Sequence, residues 1–232
     1  MSVHSNDGIQ TWLTKLDRIG ELSASRCNML FNNLGYIIDE NLLKELYFSL
    51  EKKKAVGVDQ ITKDAYGVNL EGNIKCLLSR IRRGNYKPKP ARITEIPKED
   101  GSTRPLAISC FEDKLVQLAV STILSKVYEP IFLDCSYGFR PERGCHGAIK
   151  SLNAATFKNW NGAVVEIDIK KYFNRIPHKE IMRFLSHKIA DKRFLRLIYV
   201  LVTMPVMEGK VATINTIGCP QGGLCKESNY AK

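Results

Sequence analysis

Apolar residues recur at helical spacing through the first third of the chain. Ile9, Trp12, Leu13, Leu16 and Ile19, then Met29, Leu30 and Leu34, predict one or two amphipathic helices over 8–34, interrupted near 20–25. Asp39 stands where it can cap a helix running to about Lys54, with Leu42, Leu43, Leu46, Tyr47 and Leu50 on its buried face. A turn at 55–59 follows, with Gly57 free to take positive φ. Asn69 opens another helix carrying Ile74, Leu77, Leu78 and Ile81, ended by Gly84 and Pro88.

The period then falls to two. Residues 91–97 and 103–108 alternate around a turn at 98–102, which predicts a β-hairpin with Lys98 and Arg104 projecting from one ribbon. Ser109 is positioned to cap a well-buried helix over 111–127, and Glu129-Pro130 ends it. A Gly- and Pro-punctuated loop at 136–144 leads into a helix near 145–152. After it, 163–169 is a run of Ala, Val and Ile holding one acid near its end, Asp168. A strand so apolar is normally buried on both faces, and a carboxylate within it needs a metal ion or a buried Arg or Lys. Two helices follow from Pro177, then a hairpin over 206–217 turning at 208–210, then the glycine loop 218–223.

Composition adds little to fold class: 44% hydrophobic and 25% charged residues describe an ordinary globular chain of one large or two small domains. No apolar run has membrane-spanning length and the N-terminus has no signal pattern, so a cytoplasmic, membrane-free protein is expected. Seven cysteines lack C-x-x-C pairing and read as small, mostly buried thiols.

Charge changes the picture more. The net charge is +11. Residues 1–50 hold 4 Lys/Arg against 6 Asp/Glu, whereas 75–104 hold 9 against 3, a local excess of 6. Such a block, including Arg80, Arg82, Arg83 and Lys87, is the footprint of a polyphosphate partner or, equally, a solvated lysine-rich face, and the arginines also suit the last turn of a helix, where the dipole favours cations. Lys98 and Arg104 on the hairpin can hold a triphosphate. In the loop 136–144, Tyr137 and Phe139 alternate with Arg140 and Arg143, a pattern that suits base stacking and phosphate contact or, equally, a core plug with water-facing arginines.

Six blocks in order resemble the reverse transcriptases encoded by group II introns, the retron and maturase branch: GVDQIT at 57–62, IPKEDGSTRPLAI at 96–108, DKLVQLAV at 113–120, SYGFRPERGCHGAI at 136–149, EIDIKKYFNRIPH at 166–178 and GCPQGG at 218–223. The resemblance covers nearly the whole chain. It implies an α+β fold, the fingers and incomplete palm of a right-hand polymerase, helix-rich with short antiparallel hairpins. The implied division is an N-terminal helical extension at 1–38, fingers at 39–162 with an interleaved palm helix at about 111–128, a partial palm at 163–223, and a tail at 224–232 unlike the family. It also implies an RNA template with a DNA primer, intron RNA and a dNTP as partners.

By the same resemblance Asp168 is catalytic and binds Mg²⁺ together with the Ile169 carbonyl. Phe173 is the steric gate against a ribose 2′-OH, Lys98 and Arg104 contact the triphosphate, Gln221 lines the nucleotide, and Arg140 faces the template. Two-metal nucleotidyl transfer needs further carboxylates, which the family carries on a Tyr-x-Asp-Asp hairpin. These 232 residues contain no such motif. The expectation is therefore a Mg²⁺ site left incomplete, a chain inactive on its own, and self-association through exposed palm surface. The alternative is a non-catalytic RNA-binding, maturase-like module.

Overall fold

The computed structural model describes residues 7–219 apart from 27, 53, 98–100, 159, 171, 210 and 215. Its centre is α5 (Phe111–Tyr128), whose Leu115, Val116, Leu118, Ala119, Val120, Ile123 and Val127 are all buried. Apolar residues on more than one face of this helix require cover on several sides. The cover comes from α1 (Asp7–Ser25) and α2 (Glu40–Ser49), with α4 (Leu70–Arg82) packed on α2. Leu16, Leu34 and Ile38 from the N-terminal part share one core with α5 and with α9 (Lys192–Val202).

The first helix runs unbroken through Gly20 to Ser25, so the expected interruption is absent. A single helical glycine costs about 1 kcal/mol, and burial of Trp12, Leu16 and Ile19 outweighs it. The far end of α1 is pinned to α5, where Ser23 Oγ donates to the Val127 carbonyl at 2.6 Å. Asp39 caps α2 as expected, its side chain accepting from Leu42 N at 2.8 Å. At the start of α5 the cap position is Cys110, and Ser109 Oγ instead accepts from Gln117 Nε2.

Two strands, β1 (Ala91–Pro97) and β2 (Thr103–Ile108), form the expected antiparallel hairpin, with Arg92 opposite Ile108 and Pro97 opposite Thr103. The second hairpin, β3 (Val206–Glu208) with β4 (Val211–Thr213), is also present. Unforeseen is the parallel pairing of β1 with β3 through Ala91–Val206 and Arg92–Met207, which merges both hairpins into one sheet of order β2-β1-β3-β4. Ala91, Ala107 and Met204 seal its inner face as a small second cluster.

The base of this sheet is joined to the helical core by two adjacent acids at the start of α5. Glu112 accepts from Arg80 of α4 and from Tyr66 Oη of α3 (Lys63–Gly67). Asp113 accepts from Tyr86 Oη and from Lys89 N at 3.0 Å. Lys89 Nζ in turn bridges to Asp59 at 3.0 Å. Burial pushes the Asp113 carboxyl up to about 6, although the two hydrogen bonds oppose it. Burial also works to raise Asp59, but the hydrogen bond and charge of Lys89 prevail and the net direction is down.

Gly57 is not at positive φ; Gln60 takes that conformation instead, at 57°. What Gly57 supplies is closeness: a Cβ there would lie 2.6 Å from Cys110 Cα. Thiol burial is also less complete than expected, since Cys76, Cys135 and Cys145 are exposed, Cys219 is half-buried and only Cys110 is buried among the described cysteines.

The largest departure is at 163–169. No ladder includes this segment, and Val164 and Ile167 are 73% and 83% exposed. An apolar β-branched run becomes a buried strand only where neighbouring strands flank it, and among the described residues none pairs with it. Its neighbour α6 (Cys145–Lys158), longer than expected, likewise buries no residue, and Phe157 is 85% exposed.

Gly57→Ala is expected to destabilise the protein by about 1–3 kcal/mol through overpacking against the Cys110 backbone, read as a lower urea midpoint. A midpoint equal to wild type would show that this approach is loose. The raised Asp113 carboxyl gives a pH signature. Its folded pKa exceeds the unfolded value, so the native state binds the extra proton and stability falls as pH rises from about 4 to about 6. Asp113→Asn should remove that slope. The variant's unfolding free energy relative to wild type should rise by roughly 2 kcal/mol over this window. Parallel pH curves for the two proteins would exclude it.

Candidate nucleotide and nucleic-acid site

The second half of the motif at 166–178 is folded tightly, unlike the first. Past the exposed Asp168 and Ile169, Tyr172–Arg175 forms the single-turn helix α7, and α8 (His178–Ser186) begins at the end of the motif. The loop at Gly218 and Cys219 is clipped onto this stretch. Gly218 N donates to the Ile176 carbonyl at 2.9 Å and Cys219 N donates to the Phe173 carbonyl at 2.7 Å. The buried His178 ring completes the clip, with Nε2 2.6 Å from the Gly218 carbonyl. A carbonyl can only accept, so Nε2 carries the proton.

Only glycine can occupy position 218. Its φ is +82°, and a Cβ would stand 2.7 Å from the Asn174 and Phe173 carbonyl oxygens. The structure thus brings half-buried Phe173, with Tyr172 edge-on at 5.4 Å, against the start of the glycine loop. Gln221 and Lys98 lie outside the described residues, as does the side chain of Arg104, whose backbone pairs with Ile96.

Asp168 does not sit in a formed metal centre. Among the described residues no group of three or more His, Cys, Asp or Glu side chains gathers around a point where an ion could bind. Asp168 and the Ile169 carbonyl alone do not make the two-ion site that nucleotidyl transfer requires.

The basic residues divide into two sets. Arg82, Arg83 and Lys87 are exposed. Arg80 instead turns inward to Glu112. Arg140, expected to face a template, is 6% exposed at its side chain and committed to its own loop. It meets Glu129 at 2.8 Å and the Leu133 and Ser136 carbonyls at 2.9 and 2.8 Å. Arg143 is held by Asp134 and lies over the Tyr137 ring. These bonds lock the loop, and they support Phe139 at φ 58° with its ring exposed. In this loop the aromatic is offered outward and the arginines hold it up.

Sequence reading passed over His178, whose only signal was its position at the end of the motif. It also passed over Glu112 and Asp113, an acidic pair that reads as an ordinary helix start.

Residues 96–225 match the family described as reverse transcriptase (RNA-dependent DNA polymerase). The chain is 34% identical over 213 residues to the group II intron-encoded protein LtrA of Lactococcus lactis subsp. cremoris, covering 90% of this chain and 35% of that protein. It is 32% identical over 174 residues to protein YkfC of Escherichia coli strain K12, covering 72% of this chain and 45% of that one. A putative COX1/OXI3 intron 1 protein of Saccharomyces cerevisiae is 34% identical over 223 residues, covering 95% and 26%. The chain therefore spans less than half the length of each of these relatives. With more than half of its own length matched, this chain belongs to the reverse transcriptase (RNA-dependent DNA polymerase) family.

Proposed function

We propose that this chain carries the fingers (39–162) and the first part of the palm (163–223) of a group II intron-type reverse transcriptase, acting on an RNA template, a DNA primer and dNTPs. The observation that carries the reading is the clip between Phe173–His178 and Gly218–Cys219. It joins two motifs far apart in sequence, one holding the acid and gate residue, the other opening the glycine loop. Phe173 stands as the sugar gate, Gln221 as a wall of the nucleotide pocket, and Lys98 and Arg104 as triphosphate contacts. Asp168 and the Ile169 carbonyl are this chain's share of a Mg²⁺ site; the described residues do not complete it.

A second reading, a non-catalytic RNA-binding module, draws support from the exposure of Asp168 and the lack of a metal cluster around it. The apolar face of 163–169 is in either case a surface for association, with a second copy or with other palm strands. No helix among the described residues is long and apolar enough to cross a membrane.

Primer extension separates the two readings. The chain alone should incorporate no dNTP. Supplied with a palm segment bearing Tyr-x-Asp-Asp, it should incorporate, and Asp168→Ala should lower the rate on the order of a hundredfold or more. Incorporation undiminished in that variant would remove Asp168 from the site, and none in the complemented wild type would favour the binding module. Independently, affinity for structured RNA should fall steeply between about 50 and 200 mM salt. A flat response would count against polyphosphate binding by the basic block.

A further inference from the structure

Two adjoining cavities open where the end of α4 meets the start of α9, and they share Ile81, Arg82, Arg193 and Leu197. The larger has a volume of about 610 Å³, within the roughly 300–1,000 Å³ of ligand pockets. None of the six motif blocks contributes a residue to either cavity. The lining instead comes from 32–36, from the last turn of α4 and Tyr86, and from 190–200.

The charge along this groove is one-sided. Arg82 and Arg83 arrive from α4 and Lys192, Arg193 and Arg196 from α9, all exposed. Gly84, at φ +71°, follows the end of α4, and Arg196 Nη1 lies 3.9 Å from where a Cβ there would stand. None of these five cations forms an ion pair among the described residues. The one carboxylate in the lining, Asp191, is buried and occupied, accepting from Gly35 N, Arg193 N and Phe194 N, each at 3.0 Å. It caps α9, so an anion here is held by side chains and not by the helix terminus. Beside the cations the floor is apolar (Ile81, Phe194, Leu197), and Tyr36 stands at the rim, 62% exposed.

We propose that this groove docks an unpaired segment of a structured RNA, with its phosphates on Arg82, Arg193 and Arg196 and one unstacked base against Tyr36. Clustered guanidinium groups select a polyphosphate. An apolar floor with an exposed aromatic selects a base free to leave its stack, which a duplex keeps enclosed. The inference rests on the reading of the chain as a nucleic-acid-binding polymerase fragment. It adds a contact surface outside the motifs that carry that reading.

The test is fluorescence anisotropy of the 232-residue chain with a labelled hairpin RNA bearing an unpaired loop, and with the matching blunt duplex, over about 50–200 mM salt. Arg82→Gln/Arg193→Gln/Arg196→Gln should reduce the log–log salt slope by about two, since each lost single-strand phosphate contact removes roughly 0.7. Tyr36→Ala should weaken hairpin binding about tenfold and leave duplex binding unchanged. Should the triple variant unfold on heating well below wild type, Arg193→Gln/Arg196→Gln should lower the slope by about 1.4. A folded variant with the wild-type slope, or equal loss on hairpin and duplex in Tyr36→Ala, overturns the groove and leaves the polymerase reading in place. A wild-type chain whose binding ignores salt removes both.

Discussion

The placement of the β1–β2 hairpin against the helical core depends on how the first turn of α5 is tied down. Glu112 and Asp113 are adjacent, so their side chains leave the helix in different directions. One reaches Arg80 and Tyr66, the other Tyr86 and the Lys89 backbone. The segment 86–89 leads directly into β1, so the hairpin that carries Lys98 and Arg104 is anchored to the buried spine of the molecule by this pair. An acid as buried as Asp113 disfavours its own charge. It is tolerable because two donors face it, and removing either would leave an unsatisfied group in the core.

A second joint works by exclusion of side chains. Gly57 lies against the Cys110 backbone immediately before α5, and Gly218 lies against the Asn174 backbone after α7. Both glycines act in this structure by bringing main chains together. Around Gly57 the rest of GVDQIT is used locally: Asp59 holds Lys89 and accepts from Ile61 N, and Thr62 caps α3. That block fixes the position of the hairpin base and need not touch a substrate to matter.

Helices and hairpins were legible in the sequence because their signals are local: apolar period, the Asp39 cap, the turn at 98–102. The parallel pairing of Ala91 with Val206 was not, since a two-residue ladder between distant segments leaves no periodic trace. Gly20 was misread because propensity was weighed without the burial that overrides it. The run at 163–169 was misread for a related reason. Composition records what a segment would do between neighbours, and the neighbours are not in the composition. Within the candidate site, Phe173 and the glycine loop were placed together by motif order alone, while His178, which fastens them, was visible only once Gly218 was seen to present its carbonyl to the ring.

Charge shows the same limit from the other side. The block at 75–104 looked uniform in sequence, yet Arg80, Lys89 and Arg92 bond to Glu112, Asp59 and the Val56 carbonyl. Arg82, Arg83 and Lys87 remain outside. Folding thus divides this part of the basic run into residues paired within the chain and residues left open to solvent. The patch is then rebuilt from another direction, because α9 lays Arg193 and Arg196 beside the end of α4. A surface assembled from two helices so distant in sequence is not an accident of one lysine-rich stretch. Asp191, the one carboxylate lining the groove, accepts from three backbone donors and forms no ion pair with those arginines among the described residues.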